Sequence, residues 1–133
     1  MATIFEKLNL KDHQEVLVLN APASFEPVLA GLHVQHLHRS LDALAQIRFS
    51  LAFVTRQSEV DALSSQIAAR AQGDAIVWFA YPKGTSKKLK CDFNRDNGWN
   101  VLEGAGFETV RIVAIDDDWS ALRFRRSEFV KAR

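Results

Sequence analysis

The chain has 133 residues, with 17 Lys+Arg against 16 Asp+Glu, 47% hydrophobic residues and one cysteine. That length fits a single domain over residues 1–133, and a chain of this size buries about 68–70% of its unfolded surface, enough for a core without covalent staples. Balanced charge excludes a uniformly basic nucleic-acid binder, abundant aliphatics exclude disorder, and the lone Cys91 excludes an internal disulfide and a four-thiolate zinc site.

The N-terminus has no basic stretch followed by a long apolar run, and no window approaches 18 consecutive apolar residues. With a free thiol, the expectation is a cytoplasmic protein without a membrane span.

In chain order, Glu15–Asn20 is a short β-branched apolar run that predicts a strand buried on both faces. Ser24 is placed to cap a short helix from Phe25 to Ala30, ended by Gly31. Val34–His38 reads as a weaker strand, Leu41–Ala45 as a helical turn, and Ile47–Val54 as a third strand. Ser58–Ala71 carries Val60, Leu63, Ile67 and Ala71 at three- and four-residue spacing, the apolar stripe of a helix. Gln72-Gly73-Asp74 ends it, and Ala75–Ala80 is a fully apolar strand. Tyr81–Asp92 reads as a polar, basic loop opened by Pro82 and Gly84. A helix from Asn94 or Arg95 to Glu103 follows. Thr109–Ile115 and Trp119–Arg125 then form a hairpin around Asp116-Asp-Asp118. Within its last strand Leu122 and Phe124 face the core, and Arg123 and Arg125 face outward on an edge strand.

This alternation predicts a three-layer, Rossmann-like α/β domain: a mostly parallel sheet, helices on both faces, and a C-terminal antiparallel hairpin. The order resembles a shortened class I methyltransferase-like fold, with Ala75–Ala80 in the place of the fifth strand. Trp78-Phe-Ala-Tyr-Pro-Lys83 with Ser86-Lys-Lys88 and Asp92, Asp116-Asp-Asp-Trp-Ser-Ala-Leu-Arg-Phe124, and Val16-Leu-Val-Leu-Asn-Ala-Pro22 followed by Phe25 also resemble a small bacterial family of unknown function. That resemblance spans nearly the whole chain and implies a fold but no activity.

The turn after the first strand decides the cofactor question. A dinucleotide or S-adenosylmethionine site there needs glycines for a tight turn and close backbone approach. Asn20-Ala-Pro-Ala-Ser-Phe25 has none, and Pro22 removes a donor. His36-Leu-His-Arg39 stands where an acid would hold a ribose. No cofactor is therefore assigned. Lys83-Gly-Thr-Ser-Lys-Lys88 lacks the spacing of a nucleotide-triphosphatase loop.

The charge is uneven. Up to Ala80 there are six basic and eight acidic side chains, a net of −2; beyond it there are eleven and eight, a net of +3. The excess lies in the Lys83–Arg95 segment and around Arg123, Arg125 and Arg126. A basic loop at the C-terminal end of a parallel sheet, where such sheets place ligands, suits a small anion. Asn20, Tyr81, Lys83, Ser86, Lys88 and Arg123 are its expected binding residues. The leading expectation is a non-catalytic binding or interaction domain. The alternatives are an atypical S-adenosylmethionine-dependent transferase and a nucleic-acid accessory protein, the latter disfavoured by the balanced charge. A homodimer through the hairpin edge is compatible with each. His33, His36 and His38 read as ordinary polar residues, the three aspartates as a turn, and Cys91 as a thiol without a paired base; no metal is assigned.

Overall fold

The computed structural model describes residues 4–8, 10, 15–32, 36–41, 46–83 and 98–130. They form α1 (Ile4–Lys7), β1 (Glu15–Leu19), α2 (Glu26–Ala30), β2 (His36–His38), β3 (Ile47–Phe53), α3 (Gln57–Arg70), β4 (Ala71–Pro82), α4 (Asn100–Gly104), β5 (Phe107–Ala114) and β6 (Trp119–Arg126). The six strands make one sheet in the order β2-β1-β3-β4-β6-β5. The pairs β1–β2, β1–β3 and β3–β4 are parallel, while β4–β6 and β5–β6 are antiparallel. Five strands therefore run one way and β6 runs against them. This is the expected Rossmann-like layout.

Strand alternation sends side chains to two cores. Leu17, Leu19, Val77, Phe79, Leu122 and Phe124 pack on one face with Val60 and Ile67 of α3 and Leu102 of α4. Val16, Val18, Phe49, Leu51, Trp78 and Ala121 pack on the other with Phe5 and Leu8 near α1, and with Phe25 and Leu29 at α2. Trp78 lies in the sheet's interior with no exposure, and its indole N–H donates to the Leu8 carbonyl at 2.8 Å, tying the N-terminal segment across the sheet. Trp99 turns inward to Phe79, Tyr81 and Phe124, at ring separations of 5.7, 5.9 and 5.1 Å.

Several boundaries differ from the sequence expectation, each for a physical reason. Ser24 does not cap α2. The chain enters through a 3-10 turn, Ala23–Phe25, so Phe25 occupies the cap position without a side-chain hydrogen bond. Gln72-Gly73-Asp74 does not break the chain. Strand β4 starts at Ala71, directly after α3, and Gly73 takes a φ of 55° where the β3–β4 register shifts. Tyr81 and Pro82 belong to β4 because they pair with Ser120 and Trp119. The described part of the second strand starts at His36 and that of the fourth helix at Asn100; Val34–Gln35, Asp42–Ala45, Cys91 and the proposed start of that helix lie outside the described residues.

The hairpin corrects a larger expectation. Arg123 and Arg125 are not on an edge strand: β6 is inserted between β4 and β5, and β5 is the edge. Strand β6 suits the interior because it is apolar on both faces over its first half. Trp119 and Ala121 enter the α1/α2 core, and Leu122 and Phe124 the α3/α4 core. Strand β5, with Thr109, Val110, Arg111 and Ile112 exposed, tolerates the edge.

Candidate functional site

In a parallel sheet of this kind the ligand edge is formed by the loops leaving the C-terminal ends of the strands. At the end of β1, Asn20 has a φ of 58°, the one non-glycine residue with positive φ among those described. Asparagine tolerates this left-handed conformation better than most residues, so it makes the turn in the absence of glycine. Its side-chain amide donates to the Phe53 carbonyl at 3.4 Å, linking the ends of β1 and β3. Pro22 follows in extended geometry, and the Phe25 amide donates to its carbonyl at 2.9 Å.

Phe25 then turns inward. It is 3% exposed and packs on Phe53 at 4.9 Å and Phe5 at 5.8 Å between ring centroids. Trp119 meets Phe53 edge-on at 5.0 Å. A row of rings, Phe5, Phe25, Phe53 and Trp119, thus lies beneath this edge. Just outside it, Arg39 after β2 forms a two-pronged ion pair with Glu26 of α2. A cation therefore follows the second strand, where a ribose-binding site would place an acid.

At the end of β3, the α3 N-terminus is already satisfied. A Glu59 carboxylate oxygen accepts from the Thr55 amide at 2.8 Å, the Thr55 hydroxyl at 3.2 Å and the Arg56 amide at 3.1 Å. The chain supplies its own anion to the positive end of this helix.

At the end of β4, Tyr81 is buried on the α3/α4 face against Trp99. Lys83 is partly exposed, and its amide donates to the Asp118 carbonyl at 2.8 Å, extending the β4–β6 ladder. Asp116 accepts from the amides of Asp118 and Trp119 at 2.8 and 2.9 Å, the hydrogen bonding of an Asx turn, as the turn reading expects. Trp119 is 5% exposed and packs into the core.

The structure thus places Asn20, Tyr81 and Lys83 at the same end of the sheet but does not gather their side chains. Strand β3 separates β1 from β4, about 10 Å at ordinary strand spacing, and Tyr81 points into the core. Arg123 is elsewhere. It pairs in register with Trp78, midway along β4, and with Arg111 on β5. Ser86 and Lys88 lie outside the described residues, as do Lys87, Lys90, Cys91 and His33. His36 and His38 stack at 5.9 Å, and His38 Nε2 lies 3.5 Å from Glu15. No group of three metal-ligating side chains occurs among the described residues. No described helix is long and apolar enough to cross a membrane. Sequence reading missed the Glu26–Arg39 pair and the Phe25 ring contacts. The apolar residue at 25 and the opposite charges at 26 and 39 were the available signals.

No protein-family model matches the chain, and no curated protein matches it. Solved structures do share its fold. It resembles the Methanococcus jannaschii fibrillarin pre-rRNA processing protein at TM-score 0.62 and 11% identity, over 87% of this chain and 67% of that one. It resembles a putative type 11 methyltransferase from Sulfolobus solfataricus at TM-score 0.54 and 9% identity, over 98% and 91%. The pyocyanin biosynthetic protein PhzM matches at TM-score 0.52 and 13% identity, over 94% of this chain and 54% of its own. The fold is methyltransferase-like; at these identities the likeness extends to fold alone.

Proposed function

We propose that this chain is a non-catalytic domain binding a small anion, or a nucleotide through its phosphates, at the C-terminal edge of a methyltransferase-like sheet. The observation that carries the reading is the segment after β1. A glycine loop leaves its backbone open to a cofactor. Here Asn20 makes the turn, Pro22 fixes it, and Phe25 fills the space beneath with a buried ring. Arg39, paired with Glu26, stands in place of a ribose-binding acid. Lys83 adds a basic group at the same edge. The balanced total charge disfavours nucleic acid as the ligand.

A thermal-shift series with S-adenosylmethionine, nucleoside monophosphates and inorganic phosphate tests this. Stabilisation by the phosphate-bearing ligands, weakened in Lys83→Gln, is the expected result. No stabilisation by any anion overturns it.

The structural neighbours favour a second reading, an atypical S-adenosylmethionine-dependent transferase that holds its cofactor without glycines. It predicts micromolar S-adenosylmethionine binding by calorimetry, together with displacement of the Phe25 ring.

A further inference from the structure

The β5–β6 pairing contains a feature that the fold does not require. Residues 107, 108 and 109 pair with Arg126, Arg125 and Phe124; then the register slips by one, and Arg111 pairs with Arg123. Val110 is the extra residue of a β-bulge. Without it Arg111 would stand opposite Leu122, on the α3/α4 face. The bulge swings it to the other face, directly across from Arg123, which is how bulges re-aim side chains. Like charges directly opposite each other destabilise a strand pair.

The two arginines are compensated only in part, by the attraction of Asp74 for Arg123. Among the described residues neither forms an ion pair, and the buried Nε of Arg123 has no hydrogen-bond partner. Partial burial and the neighbouring Arg125 lower the pKa of Arg123, Asp74 opposes them, and Arg111 adds a smaller lowering. Two acids stand beside Arg125, two residues along the strand from Arg123. Asp74 holds Arg125 through two bonds of 2.7 and 2.6 Å, and Glu108 is the residue opposite Arg125. The α1/α2 core ends at Ala121 and Val113, so Arg111 stands exposed beside it.

We propose that Arg111 and Arg123 form a binding site for a phosphate monoester dianion on this face of the sheet. Two guanidinium groups side by side present paired donors to separate oxygens of one phosphate. Their joint charge of two matches a monoester, which carries about −1.5 to −2 at neutral pH, better than a carboxylate or a phosphodiester. The site is independent of the C-terminal edge, since Arg123 lies mid-sheet and three strands from β1.

The test is a titration of the isotope-labelled full chain, following the arginine Nε–H signals by NMR at constant ionic strength. Inorganic phosphate should shift Arg111 and Arg123 saturably. Dimethyl phosphate, a monoanionic diester, should bind at least about tenfold more weakly. Arg111→Gln, at an exposed position that leaves both cores intact, should weaken phosphate binding at least about tenfold. Glycerol phosphate and a phosphoserine peptide distinguish the sources: equal affinity assigns a small phosphorylated metabolite, and tighter peptide binding a phosphorylated protein segment. Shifts that never saturate, equal binding of the diester, or unchanged affinity in Arg111→Gln would each overturn the site.

Discussion

Trp119 links the hairpin to the α1/α2 core, because its ring meets Phe53 edge-on and is almost wholly buried. Trp119→Ala should therefore cost about 3–5 kcal/mol, the usual range for removing a buried aromatic, measured by chemical denaturation. Asp74 makes a smaller contribution. Its bonds to Arg125 hold its carboxyl below the ordinary value of 3.8. A depressed folded-state pKa stabilises the fold above the unfolded value, and that stabilisation is lost as pH falls through the folded one. The stability difference between the native chain and Asp74→Asn should be about 0.5 kcal/mol near neutral pH, modest because the pair is about a third exposed. It should shrink below about pH 4. A constant difference from pH 7 to pH 2 would show that the pair contributes nothing through charge.

At the scale of elements, α3 is held at both ends by side chains of the opposite charge to each terminus. Glu59 caps its start, while Arg126 donates to the carbonyls of Ala68 and Ala71 at 3.1 and 2.9 Å and lies 4.7 Å above the Phe107 ring. Arg126→Ala should cost about 1.5–3 kcal/mol, because it leaves charge-assisted bonds unmade, and Glu59→Ala about 1 kcal/mol. Equilibrium unfolding of the two variants checks both. The α3 stripe of Val60, Leu63 and Ile67 was legible in sequence because helical periodicity is local. The hairpin turn was legible for the same reason. The position of β6 inside the sheet was not. Arg123 and Arg125 read as edge residues, because strand order depends on pairings between segments far apart in the chain. The mixed face of β6, buried at Trp119 and half-open at Arg123, also averages out in a two-residue alternation.

For the whole molecule, sequence order alone pointed to the methyltransferase-like layout, and the strand order with its single reversed strand bears this out. The candidate site was less legible. Absent glycine and acid were visible as missing residues. What stands in their place, a left-handed Asn20, a buried Phe25 and the Glu26–Arg39 pair, emerges only from three-dimensional contact. Tyr81, expected at the ligand, is buried against Trp99, because a residue's face on a strand follows from register and not from neighbouring basic residues. We propose that this edge serves a phosphate-bearing ligand in place of the cofactor its scaffold would suggest. The most direct measurement is calorimetric titration of the full chain with S-adenosylmethionine and, in parallel, with a nucleoside monophosphate. The nucleotide should give heat and saturation and S-adenosylmethionine none up to millimolar concentration; micromolar binding of S-adenosylmethionine would overturn the phosphate reading of this edge.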